Sequence, residues 1–265
     1  MTQASTDTRP LSQLEHIKAD SRFLRGTIDL GLADRTTGAI SEPDTKLLKF
    51  HGSYQQDNRD VREERRRRKL EPDYGFMVRV RLPGGVLSSE QWLALDALSQ
   101  QYASRGLRIT TRQTFQYHGV RKEHLRDVIG GINAIGLSTL AACGDDVRNV
   151  VASVNPLLSS AHAEVYDWAL KLMEHVRPRT TGYQELWVEK REQTSDGSQD
   201  EEPLLSKAYL PRKFKSAISG HSRQDVTHEI QDVAFIGSVH PEHGPGFECY
   251  VGGGLSTNPM LAQSL

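Results

Sequence analysis

Cysteine is nearly absent from the chain. Cys143 and Cys249 are the only two among 265 residues, so neither a disulfide framework nor a paired-cysteine metal knuckle can be built, and two buried thiols are the plain reading. Long apolar runs are missing as well. No stretch approaches the roughly 18 to 20 residues of a membrane span, and residues 1–20 lack the apolar core of a secretion signal, which leads us to expect a cytoplasmic protein with no membrane contact. Charge of one sign is not in excess either. The formal net charge is -1, so no global field recruits nucleic acid, and any anion binding must come from local clustering. What is present, 37% hydrophobic and 25% charged residues, suffices for one large or two modest globular domains.

Several stretches carry readable periodicity. In FMVRVRL (76–82), Val78, Val80 and Leu82 alternate with Arg79 and Arg81 before PGG (83–85), which predicts a strand and its stop. Ser88 and Gln91 have capping-box spacing, and Trp92, Leu95 and Leu98 continue at helical intervals to Tyr102. LRITTRQTFQYHG (107–119) alternates like a strand, and Leu125, Val128, Ile129, Ile132 and Ile135 have the 3.6-residue period of a second helix. Strand, helix, strand, helix predicts an α+β fold of ferredoxin-like type.

The residues before this unit read as an arm that wraps a domain. Within it REERRRRK (62–69) reads as a solvated helix end laced with ion pairs rather than a nucleic-acid patch, because Glu63, Glu64, Asp57 and Asp60 lie among its cations. We therefore divide the chain into an arm (1–70), a ferredoxin-like half-domain (71–140) and a second α+β domain (141–265). In the last, DDVRNVVASVNP predicts a strand ending at Pro156, and Val165, Tyr166, Ala169, Met173 and Val176 predict a helix. Further strands are expected at 183–189, 231–238 and 247–251, and the polar stretch 191–203 reads as an exposed hairpin loop.

One face of 107–119 carries Arg108, Thr110, Arg112, Thr114, Gln116 and His118. By the same alternation Arg79 shares a face with Arg81, and Lys213 with Lys215 of LPRKFK. Like charges about 7 Å apart repel by roughly 2 kcal/mol at an effective dielectric of about 20, so these faces need water or an anion. Segregated cations in a chain of balanced charge, with arginine and glutamine dominating the face, favour the anion, whose oxygens suit the guanidinium fork. Arg148 follows two acids in DDVRNV and stays open between a structural Arg–Asp pair and membership of this group. His118 has no second histidine or carboxylate at ligand spacing, so we expect a hydrogen-bonded strand histidine and no metal-ligand set in the chain. The run VGGGLS (251–256) is either a turn or a backbone that lets a flat ligand approach, since glycine removes the obstructing Cβ.

FLRGTI, KFHGSYQQDNRDVREER, RVRLPGGVLSSEQW, LRITTRQTFQYHG, RNVVASVNP, LPRKFK and VGGGLS together, in order from Phe23 to Ser256, resemble the haemoprotein subunit of assimilatory sulfite reductase, within the nitrite and sulfite reductase family. The resemblance implies a ferredoxin-like half-domain followed by part of a siroheme and 4Fe-4S type α+β domain. It implies siroheme-dependent, six-electron reduction of sulfite to sulfide. By motif match, Arg79, Arg148, Lys213 and Lys215 correspond to the family positions around the distal anion, and Arg108, Arg112 and Gln116 to contacts with the macrocycle's acid groups. Arg81, His118, Gly252, Gly253 and Gly254 are assigned to the same pocket.

Members of the family are about twice this long, built as two related halves, and hold their cluster on four cysteines in C-x5-C and C-x3-C pairs, one of which also ligates the haem iron. Those pairs are absent here. The resemblance thus implies an N-terminal half whose cluster and proximal ligand belong to a missing C-terminal half, and which alone does not turn over sulfite. Its partners would be sulfite and an electron donor, either a flavoprotein subunit or ferredoxin. The alternatives are a nitrite reductase of the same family and a non-catalytic siroheme-binding module.

Overall fold

The computed structural model describes residues 10–104, 106–188, 200–221 and 225–265. Three short helices come first: α1 (Gln13–Ala19), α2 (Ile28–Ala33) and α3 (Glu42–Leu47). Ser12 and Ser41 cap α1 and α3, their hydroxyls accepting from Glu15 N and Asp44 N. No helix among the described residues is long and apolar enough to cross a membrane.

The first sheet is built from β1 (Ser53–Asp57), then past α4 (Arg62–Arg67) from β2 (Tyr74–Arg79), and past α5 (Ser89–Tyr102) from β3 (Arg108–Ile109) and β4 (Phe115–Val120); α6 (Leu125–Ala134) follows. Its order is β1-β2-β4-β3, with every pair antiparallel. α5 starts with the expected capping box between Ser88 and Gln91. Val78 lies opposite Tyr117, whose hydroxyl donates to Leu95 O at 3.0 Å, so the apolar face of the sheet is covered by α5 and α6. Strand alternation then puts Arg79 and Gln116 on the opposite face.

The second sheet takes β5 (Val151–Ala152) and, after α7 (Ser160–His175) and α8 (Gly182–Trp187), β6 (Ser216–Ser219), β7 (Val233–His240), β8 (Gly244–Val251) and β9 (Gln263–Ser264), in the order β5-β6-β7-β8-β9. The pairs β5-β6 and β6-β7 are parallel, and the rest antiparallel. α7 buries Val165, Ala169 and Met173 against Val150, Ala152 and Ile218.

Four expectations need correction. Residues 107–119 are not one strand: Gln113 has a left-handed φ of 52°, Thr110 N donates to Thr114 O at 2.8 Å, and the chain turns back as a hairpin between β3 and β4. The alternation therefore breaks at the turn, and Arg112 leaves the face of Arg108. Residues 183–189 were expected as a strand, but α8 occupies this stretch because Tyr183, Leu186 and Trp187, all buried, have helical spacing. Of the loop expected at 191–203, residues 191–199 lie outside the described residues, and Asp200 is buried rather than exposed. The arm expected over 1–70 includes β1, which pairs with β2 and so belongs to the first sheet. α4 itself is exposed, with Arg62–Asp57 and Arg68–Glu64 ion pairs, as a solvated helix end should be.

The arm is stitched down by charge. Arg25 of FLRGTI has no exposed surface and pairs with Glu185 and Asp200, each at 2.6 Å, while Lys18 Nζ donates to Leu210 O at 2.8 Å. His51 stands fully buried between Leu24 O, 2.7 Å from Nε2, and Trp187 Nε1, which donates to Nδ1 at 3.0 Å. That arrangement fixes a neutral ring with the proton on Nε2, and burial takes its pKa down to about 4.

Candidate functional site

Register places Arg108 opposite Gln116 and Gln116 opposite Arg79, so three donor-rich side chains from β3, β4 and β2 stand in one row across the sheet. A guanidinium carries only donors, and it is met by the amide oxygen of Gln116, which accepts from Arg79 Nη2 and, at 2.9 Å, from Nε; the amide nitrogen then donates to His118 Nε2 at 3.0 Å. His118 is thus a hydrogen-bonded strand histidine, its pKa lowered by burial and by the charges of Arg108 and Arg79.

Arg148 enters the same region from the segment leading into β5. Its Nε donates to Ala142 O at 3.2 Å, and Arg79 Nη1 donates to that same carbonyl at 3.3 Å, so one peptide oxygen gathers both guanidinium groups. Arg148 N donates to Phe214 O at 2.8 Å, which carries Lys213 and Lys215 alongside. Lys215 is half-buried and its pKa is lowered by burial and by Arg112, Lys213 and Arg148, against the pull of Asp232. Asp232 spends one carboxylate oxygen on Lys215 N at 2.7 Å.

Arg112 ties the two sheets together. From the hairpin turn its Nη1 donates to Gln231 Oε1 at 2.8 Å and its Nη2 to Ser216 O at 3.1 Å and to Asn149 O. Its Nε is buried without a partner among the described residues, and burial, reinforced by Arg148 and Arg79, lowers its pKa to about 10. Asn149 completes the joint, its Nδ2 donating to Leu82 O at 2.7 Å and to Arg112 O at 2.8 Å.

Among the described residues none of Arg79, Arg108, Arg112, Arg148, Lys213 or Lys215 has an ion-pair partner, whereas Arg25, Arg62 and Arg121 do. A pocket of about 180 Å³ opens beside them, lined by Lys46, Lys49, Arg148, Arg212 and Lys213 against the single acid Asp145. Such a concentration of positive charge stands against folding unless water or anionic groups compensate it. An unpaired buried Nε on Arg112 and five cations around one small pocket fit a ligand with several carboxylates or an oxyanion.

Of the sequence-predicted residues, Arg79, Arg108, Arg112, Gln116, His118, Arg148, Lys213 and Lys215 come together. Arg81 does not. Only 5% exposed, it donates to Met173 Sδ at 2.6 Å and to Leu140 O at 2.9 Å, away from the cluster. Gly253 is pressed on protein rather than ligand, for a Cβ there would lie 2.3 Å from Glu229 O; at Gly254 nothing would obstruct one, and Gly252 has a φ of 84°. Lys46, Lys49, Arg212, Asn149 and Gln231 escaped sequence reading, since they sit in no periodic pattern. Cys143 joins the site as well: its Sγ accepts from Arg79 Nη1 at 3.0 Å, and burial pushes the thiol up. With Cys249 it makes two thiols, which cannot supply the four of an iron–sulfur cluster.

Residues 68–135 match the nitrite/sulfite reductase ferredoxin-like half domain, and residues 143–265 match the nitrite and sulphite reductase 4Fe-4S domain. The sulfite reductase (NADPH) hemoprotein beta-component of Oceanobacillus iheyensis is 51% identical over 251 residues, 95% of this chain and 43% of the relative. The protein of that name from Myxococcus xanthus is 51% identical over 265 residues, 97% of this chain and 47% of the relative. Among solved structures, the NirA protein of Mycobacterium tuberculosis superposes with a TM-score of 0.67 at 33% identity, over 97% of this chain and 43% of that one. The chain thus spans less than half the length of the curated relatives it matches.

Proposed function

Because the chain belongs to the nitrite and sulfite reductase family, whose members use siroheme and a 4Fe-4S cluster, we propose that it supplies the anion-binding half of an enzyme that reduces sulfite to sulfide in sulfate assimilation. The observation that carries this reading is the convergence of Arg79 on β2 with Arg148, Lys213 and Lys215 from the segments leading into β5 and β6, with no ion-pair partner among the described residues. Siroheme, when bound, supplies the iron that holds sulfur and the route by which electrons arrive. This chain's own residues do the rest of the work at the oxygens. Arg79 and Arg148 hold the oxyanion by charge-assisted hydrogen bonds, each contributing about 1.5 to 3 kcal/mol. Lys215, its pKa lowered by burial and by neighbouring cations, is the readier proton donor to a departing oxygen, and Lys213 adds charge at the pocket mouth.

Arg108 and the row through Gln116 and His118 face the macrocycle's acid groups, and Arg112 positions that row against the second sheet. Arg81 serves the core instead. The four thiolates of the cluster come from sequence outside this chain, and the NADPH in the relatives' names supports an NADPH-dependent donor, which we take to be a flavoprotein subunit, rather than ferredoxin. The compartment would be the cytoplasm.

The test uses the chain joined to its complementary half and loaded with siroheme. Arg148→Ala and Lys215→Met should each lower sulfite turnover by about 10- to 100-fold, one lost charge-assisted contact apiece. Nitrite reduced rapidly with negligible sulfide would move the substrate to nitrite. Siroheme bound with no reduction of either would leave a binding module.

A further inference from the structure

Three groups that the proposed activity does not use meet at the N-terminal end of α7. His162 stands in its first turn, 8% exposed, with Nδ1 2.8 Å from Ser159 Oγ, the helix-capping hydroxyl. From the segment after β6, His221 brings its ring to 5.5 Å from that of His162, centroid to centroid, and Asp225 Oδ2 lies 3.9 Å from His221 Nε2. One ring nitrogen of each histidine and a carboxylate oxygen of Asp225 all lie within 4.8 Å of one another. Ser219 Oγ stands 3.1 Å from Asp225 Oδ1 and so orients the carboxylate. The second, independent observation is an orphan: His221 Nδ1 is buried with no hydrogen-bond partner among the described residues. A buried polar atom left this way calls for a missing partner.

We propose that His162, His221 and Asp225 form a binding site for a first-row divalent metal ion of the zinc class, with the fourth position open to water. Two imidazoles and a carboxylate are a ligand set that such ions take. With Nδ1–H of His162 donated to Ser159 Oγ, the Nε2 lone pair is left to ligate, the usual outer-shell arrangement for a metal-bound histidine. Metal–nitrogen bonds of about 2.0 to 2.1 Å put tetrahedral ligands roughly 3.4 Å apart, so the three groups must draw together by up to about 1.4 Å. His162 is held by a helix packed into the core. Ligation would pin α7 to the end of β6, the strand that follows Lys213 and Lys215.

The site stands apart from the cation cluster and does not depend on the activity proposed above. Zinc chloride titrated calorimetrically into the full chain should bind at one equivalent with micromolar affinity, and cobalt chloride should give the visible absorption of a four-coordinate ion. His221→Ala and Asp225→Asn, substitutions in the segment beyond β6, should each weaken binding by about tenfold or more. The stacked pair His240 and His243, 4.6 Å between ring centroids on the β7–β8 hairpin, is the obvious competitor, and a His240→Ala, His243→Ala double variant should bind zinc as before. Affinity that survives His221→Ala and Asp225→Asn, that disappears with the hairpin pair, or that is absent at millimolar zinc would overturn the proposal.

Discussion

Asp146→Asn should stabilise the protein at alkaline pH and destabilise it at acid pH. Asp146 is fully buried; one carboxylate oxygen accepts from Val147 N at 2.7 Å, and Oδ2 has no partner among the described residues. Burial, opposed by Arg81 and by the Val147 amide, raises its pKa from 3.8 to about 7. Below about pH 4 folded and unfolded chains both hold the proton. Between about 4 and 7 only the folded chain does, so unfolding releases a proton and each pH unit removes about 1.4 kcal/mol of stability. The contribution is therefore complete below the unfolded value and lost as pH rises through about 7, a total of roughly 4 kcal/mol. Asparagine cannot ionise, which abolishes that slope, but an amide nitrogen in place of Oδ2 finds no acceptor and costs about 1 to 3 kcal/mol at every pH. The variant should thus be more stable than the parent by about 1 to 3 kcal/mol at pH 8 and less stable by a similar amount at pH 4. Urea unfolding of both proteins across that range measures it. Parallel curves, with equal slopes in parent and variant, would refute the reasoning. The result bears on the site, because Asp146 O accepts at 3.0 Å from the backbone N of Phe214, the residue between Lys213 and Lys215.

Arg25→Met should cost about 3 to 5 kcal/mol in chemical denaturation, because Glu185 and Asp200 would be left without their guanidinium; a loss under about 1 kcal/mol would mean that the buried pairs do not hold the arm. Gly253→Ala should displace the 228–231 turn and loosen Gln231 from Arg112, lowering thermal stability, while Gly254→Ala, with open space, should change stability by less than about 0.5 kcal/mol. Equal effects at the two glycines would contradict the close approach. His51, with its pKa lowered to about 4, favours the fold above the ordinary 6.5 and loses that contribution as pH falls through about 4, roughly 3 kcal/mol in all. An NMR titration of its imidazole with a midpoint near 6.5 would contradict this.

Much of the first sheet was legible because its signals are local. The alternation of Val78 with Arg79, the Ser88 capping box and the apolar period of α6 each specify an element within a few residues. The break in 107–119 was not, since Thr110 and Gln113 carry no glycine or proline to announce a turn, and α8 was misread because a short apolar run has no decisive period. Of the four residues that the motif resemblance supplied, Arg79 and Arg148 share the Ala142 carbonyl, and Lys213 and Lys215 flank Phe214, whose carbonyl accepts from Arg148 N. Lys46, Lys49, Arg212, Asn149 and Gln231 depend on tertiary approach and leave no mark in one sequence. The metal-ligand set His162, His221 and Asp225 was missed for the same reason: its members come from a helix turn and a distant segment after another strand.

The fork of Arg112 also dictates timing. Asn149 lies 37 residues further along the chain, Ser216 104 and Gln231 119, so on a ribosome adding about 5 to 20 residues per second the last of the three contacts waits roughly 6 to 24 s. During that interval the hairpin can already have formed, yet a positively charged side chain destined for burial remains in water. The joint between the hairpin and the second sheet is consequently completed late in biosynthesis, after nearly all of the chain that it holds together has been made.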